Sequence, residues 1–508
     1  MLPHLPVVRR GVPYRSVETV TLRDLRNGAP VATVSQANRG LIARDLGEPS
    51  AEKLRAARLA LASIPLAERL EICRRAGQLF TEAKLMVDPD GAPQSLAEYL
   101  KNLSATSGLP RSLLVANVEK LRAVLTEMPA VVAGLTRDLP AAALDPAAPD
   151  LGAAATSHYQ PLGDVLGAVL PSNSPGVHGL WLPAIALGMP LALKPGREEP
   201  WTPLRLLAAL TAAGCPPEAL SFYPSDHSGA VEVLLRAGRS LVFGDARTVA
   251  PWRSDPRVQI HGPGLSKVIF GADQVADWPR HLDTTVSSVL QNGGRSCLNA
   301  SGVWLPVAPI AGGEVATARA LADALAERLA AVEARSLDDP GAQIAAFPSA
   351  ATARRISAWI DEQLATPGAE DLTQALRGTS RVAEVDGCTF LLPTVVWVTD
   401  PEHPLAHAEL LFPFCAVVAV PPEEILDRLG PTLVATAFTT DPAFRQALLD
   451  CPAIDHLNFG AVATWQISFA QPHEGNLFEH LFRRRALRDL SRPRATAAEA
   501  FARVEAAP

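Results

Sequence analysis

Residues 160–224, QPLGDVLGAVLPSNSPGVHGLWLPAIALGMPLALKPGREEPWTPLRLLAALTAAGCPPEALSFYP, decide the fold. Short apolar runs broken by glycine and proline (DVLGAVLP, PLALKP, ALSFYP) alternate with stretches of helical character (VHGLWLPAIALG, PLRLLAALTAAG). Strand, helix, strand, helix, strand at this spacing predicts a parallel α/β layout, whose ligand crevice lies at the carboxyl ends of the strands. Within it, residues 176–193 form the most membrane-like stretch of the chain. That stretch carries His178, Pro183 and Pro190 and has a basic flank on one side only, at Lys194. It therefore reads as a buried helix followed by a buried strand rather than a membrane span.

On the amino-terminal side, residues 51–86 and 96–125 place leucine and isoleucine at helical spacings among arginine and glutamate. Residues 129–156 are rich in alanine and proline and are expected to end the helical pattern as a connector or arm. A second α/β region is expected from residue 272 to about residue 470, with a helix over 314–334 and a strand at FCAVVAVP, residues 414–421. The Arg- and Ala-rich tail reads as a terminal helix or arm.

At 508 residues the chain holds more than one large core. Lys+Arg 46 against Asp+Glu 53 gives a net charge of -7, so no global basic field points to a nucleic-acid partner. The first residues lack an apolar run behind a basic segment, so a cytoplasmic protein is expected. Six scattered cysteines show no paired or metal-ligand spacing; they read as free thiols, and no metal site is expected.

Three residues stand out chemically. Cys297 lies in QNGGRSCLNASG, where two glycines and Arg295 precede it and a helix could begin, a setting that would favour a thiolate nucleophile. Asn173, in LPSNSPG after an apolar strand, could donate its amide to a developing oxyanion. Lys194, one of six lysines in an arginine-rich chain, ends the strand PLALKP and could hold a ribose or phosphate. Cys215 and Cys415, in apolar surroundings, read as structural.

In order along the chain these pieces resemble the aldehyde dehydrogenase superfamily over roughly residues 158–480. YQPLGDVLGAVLPSNSP is similar to the segment leading into the family's P-x-N-x-P turn, PLALKPGREEP to its V-L-K-P segment, and QNGGRSC to its N-x-G-x-x-C loop. AELLFPFCAVVAV is similar to the E-x-F-G-P segment, and DHLNFG to a late strand of the family.

The resemblance implies a Rossmann-type cofactor domain (residues 1–135 and 159–271), an α/β catalytic domain (272–470) and an oligomerisation arm (136–158 with 471–508). It implies a homodimer or homotetramer acting on a small-molecule aldehyde or acyl-CoA. Cys297 would be the nucleophile and Asn173 the oxyanion donor. Pro171, Ser172, Lys194, Arg197, Glu409 and Gly244 would line the NAD or NADP site. Arg197, three residues after Lys194 where NAD-preferring members commonly carry glutamate, implies that NADP is tolerated. Asp245 after Gly244, and YPSDHSG with Gly229 as its one glycine, depart from the family's phosphate-side motifs.

The largest departure is QIHGPGLSK, which sets His261 where hydrolytic members carry a glutamate base. The G-P-G of residues 262–264 is similar to CoA-acylating members. The expected reaction is therefore acyl transfer with coenzyme A as co-substrate. The alternatives are hydrolysis to a carboxylic acid with His261 as base, and a catalytically inactive member acting as a scaffold.

Overall fold

A computed structural model describes residues 2–139, 144, 157–307 and 312–486. The apolar runs become parallel strands buried on both faces, as parallel sheets require. Leu166–Val169, Leu191–Lys194, Leu220–Phe222, Arg239–Phe243 and Val258–His261 form the parallel part of a seven-stranded sheet. Val7–Arg9 pairs antiparallel with Leu220–Phe222, and Val12–Tyr14 closes that edge. In space Leu166–Val169 lies between Leu191–Lys194 and Arg239–Phe243, so the order of strands reverses there and opens the crevice of such a sheet.

A second seven-stranded sheet is centred on Ala300–Pro306 and Ser266–Phe270, flanked by Phe414–Val420 and Thr432–Phe438. The chain passes from the first sheet to the second at residues 262–265, ahead of residue 271, because Ser266–Phe270 pairs with Ala300–Pro306 and Thr432–Phe438. The 51–86 pattern is two helices, Ala51–Ala62 and Leu66–Glu82, broken before Pro65. The 96–125 pattern splits into Leu96–Ser107 and Arg111–Thr126 at Gly108, which ends the first helix in the left-handed region.

One expectation fails. The helical pattern does not stop at residue 129: Met128–Thr136 is a helix with Met128, Val131, Val132 and Leu135 buried, so its apolar stripe outweighs its alanine and proline content. The membrane-like stretch forms a 3-10 turn, Pro175–Leu180, a short helix, Pro183–Ala186, and the strand Leu191–Lys194. Among the described residues no helix is long and apolar enough to cross a membrane. Of the arm, Ser157–Pro161 pairs antiparallel with Phe482–Ala486; residues 140–143, 145–156 and the tail from 487 lie outside the described residues.

Candidate active site

The carboxyl ends of the first sheet meet the loops that enter the second. Asn173, Gly244, His261, Cys297 and Glu409 line one cavity of about 530 Å³, with Pro171 and Ser172 at its wall.

Cys297 is held by backbone that needs its glycines. Asn292, Gly293 and Gly294 have φ of 54°, 64° and 69°. A Cβ on Gly294 would stand 2.3 Å from the Phe412 carbonyl carbon. Across the cavity entrance, a Cβ on Gly264 would stand 2.0 Å from the Cys297 carbonyl oxygen, and Ser266 Oγ donates to that oxygen at 2.8 Å. The G-P-G segment thus lets the turn after His261 close onto the nucleophile loop.

Asn292 Oδ1 accepts from Asn117 Nδ2 at 2.8 Å, and Asn292 Nδ2 donates to Ser174 Oγ at 3.0 Å. Asn117 Oδ1 also accepts from Gly176 N at 3.0 Å, so one helix side chain ties both loops together.

The expected helix start at Cys297 is not formed. Residues 296–299 make a turn, with Ser296 N donating to Asn299 Oδ1 at 2.9 Å, and the strand Ala300–Pro306 follows at once. The thiol therefore does not stand at the start of a helix. Arg295 does not serve it either: its guanidinium donates to the carbonyls of Ala346 and Ser107 and lies over the Phe347 ring at 5.1 Å. Burial pushes the Cys297 thiol well above its ordinary value, and the carboxylates of Glu474 and Glu409 add to this. The opposing positive charge comes from Lys120.

Asn173 Nδ2 donates to Arg295 O at 3.0 Å, while its Oδ1 is buried without a hydrogen-bond partner. That bond uses one of the two amide hydrogens of Asn173.

His261, buried at the end of Val258–His261, stacks on Phe243 with ring centroids 4.3 Å apart. Its Nδ1 is hydrogen-bonded to the Glu474 carboxylate. An ionised carboxylate only accepts, so Nδ1 carries the proton and Nε2 is the basic nitrogen, with the Gln259 amide 3.3 Å away. Glu474 has φ +49° beside Gly475 at φ +121°, a left-handed pair that aims the carboxylate inward. His473 Nδ1 stands 3.5 Å from the same carboxylate. Ligand atoms of His261, His473 and Glu474 lie within 4.8 Å of one another, close enough for one cation.

Glu409 Oε2 accepts from Leu265 N at 2.6 Å. Burial pushes its carboxyl up to about 7, against the amides of Leu265 and Gly264 and the charge of Lys267.

A second cavity, of about 600 Å³, adjoins the first through Pro171, Ser172 and Phe243 and is lined by Lys194 and Arg197. Burial pulls the Lys194 ammonium below its ordinary value, with Glu198 and Asp226 opposing. Gly196 lies under the turn: a Cβ there would meet Ser172 Oγ at 2.2 Å. Of the three charged residues after Lys194, Arg197 lines this cavity. Glu198 lines the Cys297 cavity, and Glu199 is buried on His178 Nε2 (3.1 Å) and Thr202 N (3.0 Å). Asp245 caps the helix Ala246–Val249, accepting from Thr248 N at 2.8 Å. Cys215 and Cys415 are buried.

The residues singled out in the sequence thus fall in two joined cavities. Missing from that set are Glu474, Lys120 and Asn117, none of which stands in a segment with a sequence signature.

A profile of the aldehyde dehydrogenase family matches residues 16–428. The chain is 29% identical to phenylacetaldehyde dehydrogenase of Pseudomonas fluorescens, over 34% of this chain and 37% of that protein. It is 26% identical to 2-hydroxymuconic semialdehyde dehydrogenase of Pseudomonas sp. (strain CF600), over 55% and 58%. These matches span less than two thirds of either relative's length. Its fold is similar to that of an indole-3-acetaldehyde dehydrogenase solved with NAD+, with a TM-score of 0.76, 16% identity, and coverage of 96% of this chain and 97% of that one.

Proposed function

The chain belongs to the aldehyde dehydrogenase family, and from that premise we propose that it oxidises an aldehyde to a carboxylic acid with NAD(P)+ as acceptor. Cys297 is the nucleophile and His261 the base that activates water. One observation carries this reading. His261 holds its Nδ1 proton on Glu474, which leaves Nε2 as the basic nitrogen of a ring that lines the same cavity as Cys297. An imidazole oriented by a carboxylate is a competent general base.

The two joined cavities suit a dinucleotide. A half-buried ammonium, Lys194, and an exposed guanidinium, Arg197, stand in the outer one, and the pinched turn of Ser172 and Gly196 leads to the inner one. A bound nicotinamide dinucleotide would supply the hydride acceptor. Lys194 and Arg197 would hold its outer half, and Glu409, Pro171, Ser172 and Gly244 would lie beside its inner half. Arg197 keeps NADP open as well as NAD.

In the chemistry of the chain's own residues, the Cys297 thiolate adds to the carbonyl carbon. The free amide hydrogen of Asn173 receives the oxyanion. After loss of hydride a thioester remains on Cys297. His261 Nε2 takes a proton from water, the hydroxide adds to the thioester carbon, and the Cys297 thiolate leaves as the acid forms.

The sequence points to coenzyme A in place of water because position 261 lacks glutamate. The His261–Glu474 pair fills that role, and the close approach of Gly264 to Cys297 gives the G-P-G segment a purpose without coenzyme A. Both relatives above carry the names of aldehyde-oxidising enzymes, which supports the same reading. Cys297→Ala tests the assignment: NAD(P)H formation should vanish while NAD(P)+ binding persists, and turnover by this variant would remove the nucleophile.

A further inference from the structure

A third cavity, of about 870 Å³, reaches the nucleophile loop away from the cofactor crevice. Val131, Leu298, Trp465 and Phe469 supply apolar walls, and Ser296, next to Cys297, lies at its inner end. Cys297 does not line this cavity itself, but its neighbours Ser296 and Leu298 do, and Trp465 and Cys297 pack against the same small apolar cluster, so the cavity reaches the loop that carries the thiol. Into it projects Lys120, from the helix Arg111–Thr126, with its ammonium over the Phe469 ring at 5.3 Å.

Among the described residues no carboxylate pairs with Lys120. Of the acids lining the cavity, Glu119 is engaged with Arg122 at 2.7 Å, and both Glu119 and Glu127 are exposed at the rim. Lys120 is half-buried, and a cation partly withdrawn from water gains from an anion brought beside it. Burial accordingly pulls the ammonium below its ordinary value. An aldehyde whose carbonyl reached Cys297 past Ser296 and Leu298 would have its tail among these walls.

We infer that Lys120 is the anchor for a carboxylate at the far end of the substrate, so that the enzyme takes aldehydes bearing a second, acidic terminus. The inference rests on the reading of Cys297 as nucleophile and deepens it by naming the substrate class. Lys120 also bears electrostatically on the thiol, an effect common to every substrate, which therefore cancels in a ratio of two substrates.

The test compares 5-oxopentanoate with pentanal, of equal chain length, on the full-length enzyme. Lys120→Met should lower the ratio of their kcat/KM values by about 100-fold, the scale of a charge pair removed from a desolvated site, and Lys120→Arg should retain most of the preference. A second readout needs no turnover. Glutarate should slow alkylation of Cys297 by iodoacetamide in the wild type and not in Lys120→Met. An unchanged substrate ratio, or glutarate protection that survives in Lys120→Met, would overturn the assignment. An enzyme that oxidises neither aldehyde yet shows Lys120-dependent protection would refute the oxidation and leave the carboxylate site intact.

Discussion

Glu474 lies 213 residues beyond His261 in the chain, yet its carboxylate accepts the hydrogen bond from His261 Nδ1. That bond fixes which ring nitrogen is basic and places a charge behind it, the arrangement in which an imidazole replaces a carboxylate base.

His261→Asn keeps a polar group of similar size but removes the proposed base. Acylation of Cys297 should proceed and deacylation should stall. Stopped-flow absorbance should show a burst of one NAD(P)H per site followed by a steady rate about 100-fold to 10,000-fold below wild type, the usual worth of a general base. Intact-mass measurement should find the acyl adduct. A uniform loss without a burst would place His261 outside the hydrolytic step.

Glu474 also makes a pH prediction. Burial raises its carboxyl, but the hydrogen bond from His261 and, when that ring is protonated, its charge, with His473 behind it, outweigh burial and hold it at about 2 against an ordinary 4.5. A carboxyl depressed in the folded state contributes stability that is complete above its unfolded value and is lost as the pH falls through the folded one. Glu474→Gln should therefore be less stable than wild type in urea at about pH 7, and the gap should narrow steadily below about pH 4.5. A gap independent of pH would contradict the pairing.

Gly264→Ala places a methyl group 2.0 Å from the Cys297 carbonyl oxygen, where backbone must give way. Overpacking of this kind costs about 1–3 kcal/mol, so a lowered melting temperature is expected, with a larger proportional loss in kcat because the displaced residue is the proposed nucleophile. Gly262→Ala, whose added carbon would meet nothing nearer than 3.7 Å, serves as the control. Equal behaviour of the two variants would show that the close approach is unimportant.

Arg197 is the charged residue after Lys194 that lines the outer cavity. Arg197→Glu should shift the ratio of kcat/KM from NADP toward NAD by about 10-fold or more, the scale of one charge-assisted hydrogen bond removed. An unchanged ratio would remove Arg197 from the 2′-phosphate.

The parts of this site that are legible in the sequence are those written locally. A strand followed at once by a turn marks Asn173 and Lys194, and the glycine pair before Cys297 marks a loop that must adopt positive φ. Glu474 leaves no such trace. PHEGN carries neither an apolar period nor a motif, and its meaning arises only when the chain returns to the end of Val258–His261. Asn117 and Lys120 are hidden for a different reason, since both lie in an ordinary amphipathic helix whose polar face meets the active-site loops only in the folded chain. The G-P-G segment invites a reading by resemblance to acylating enzymes, whereas its geometry is explained by its approach to the Cys297 carbonyl. Arg295 looks like an activator because it is adjacent in sequence, but its guanidinium is engaged by main-chain carbonyls and Lys120 supplies the nearby charge.

The decisive measurement follows NAD(P)H formation by the full-length enzyme from 5-oxopentanoate and a panel of neutral aldehydes, in H2(18)O, with and without coenzyme A. Water activation by His261 predicts sustained turnover without coenzyme A and at least one labelled oxygen in the carboxyl group newly formed in each acid. Turnover that requires coenzyme A and yields an acyl-CoA would contradict it.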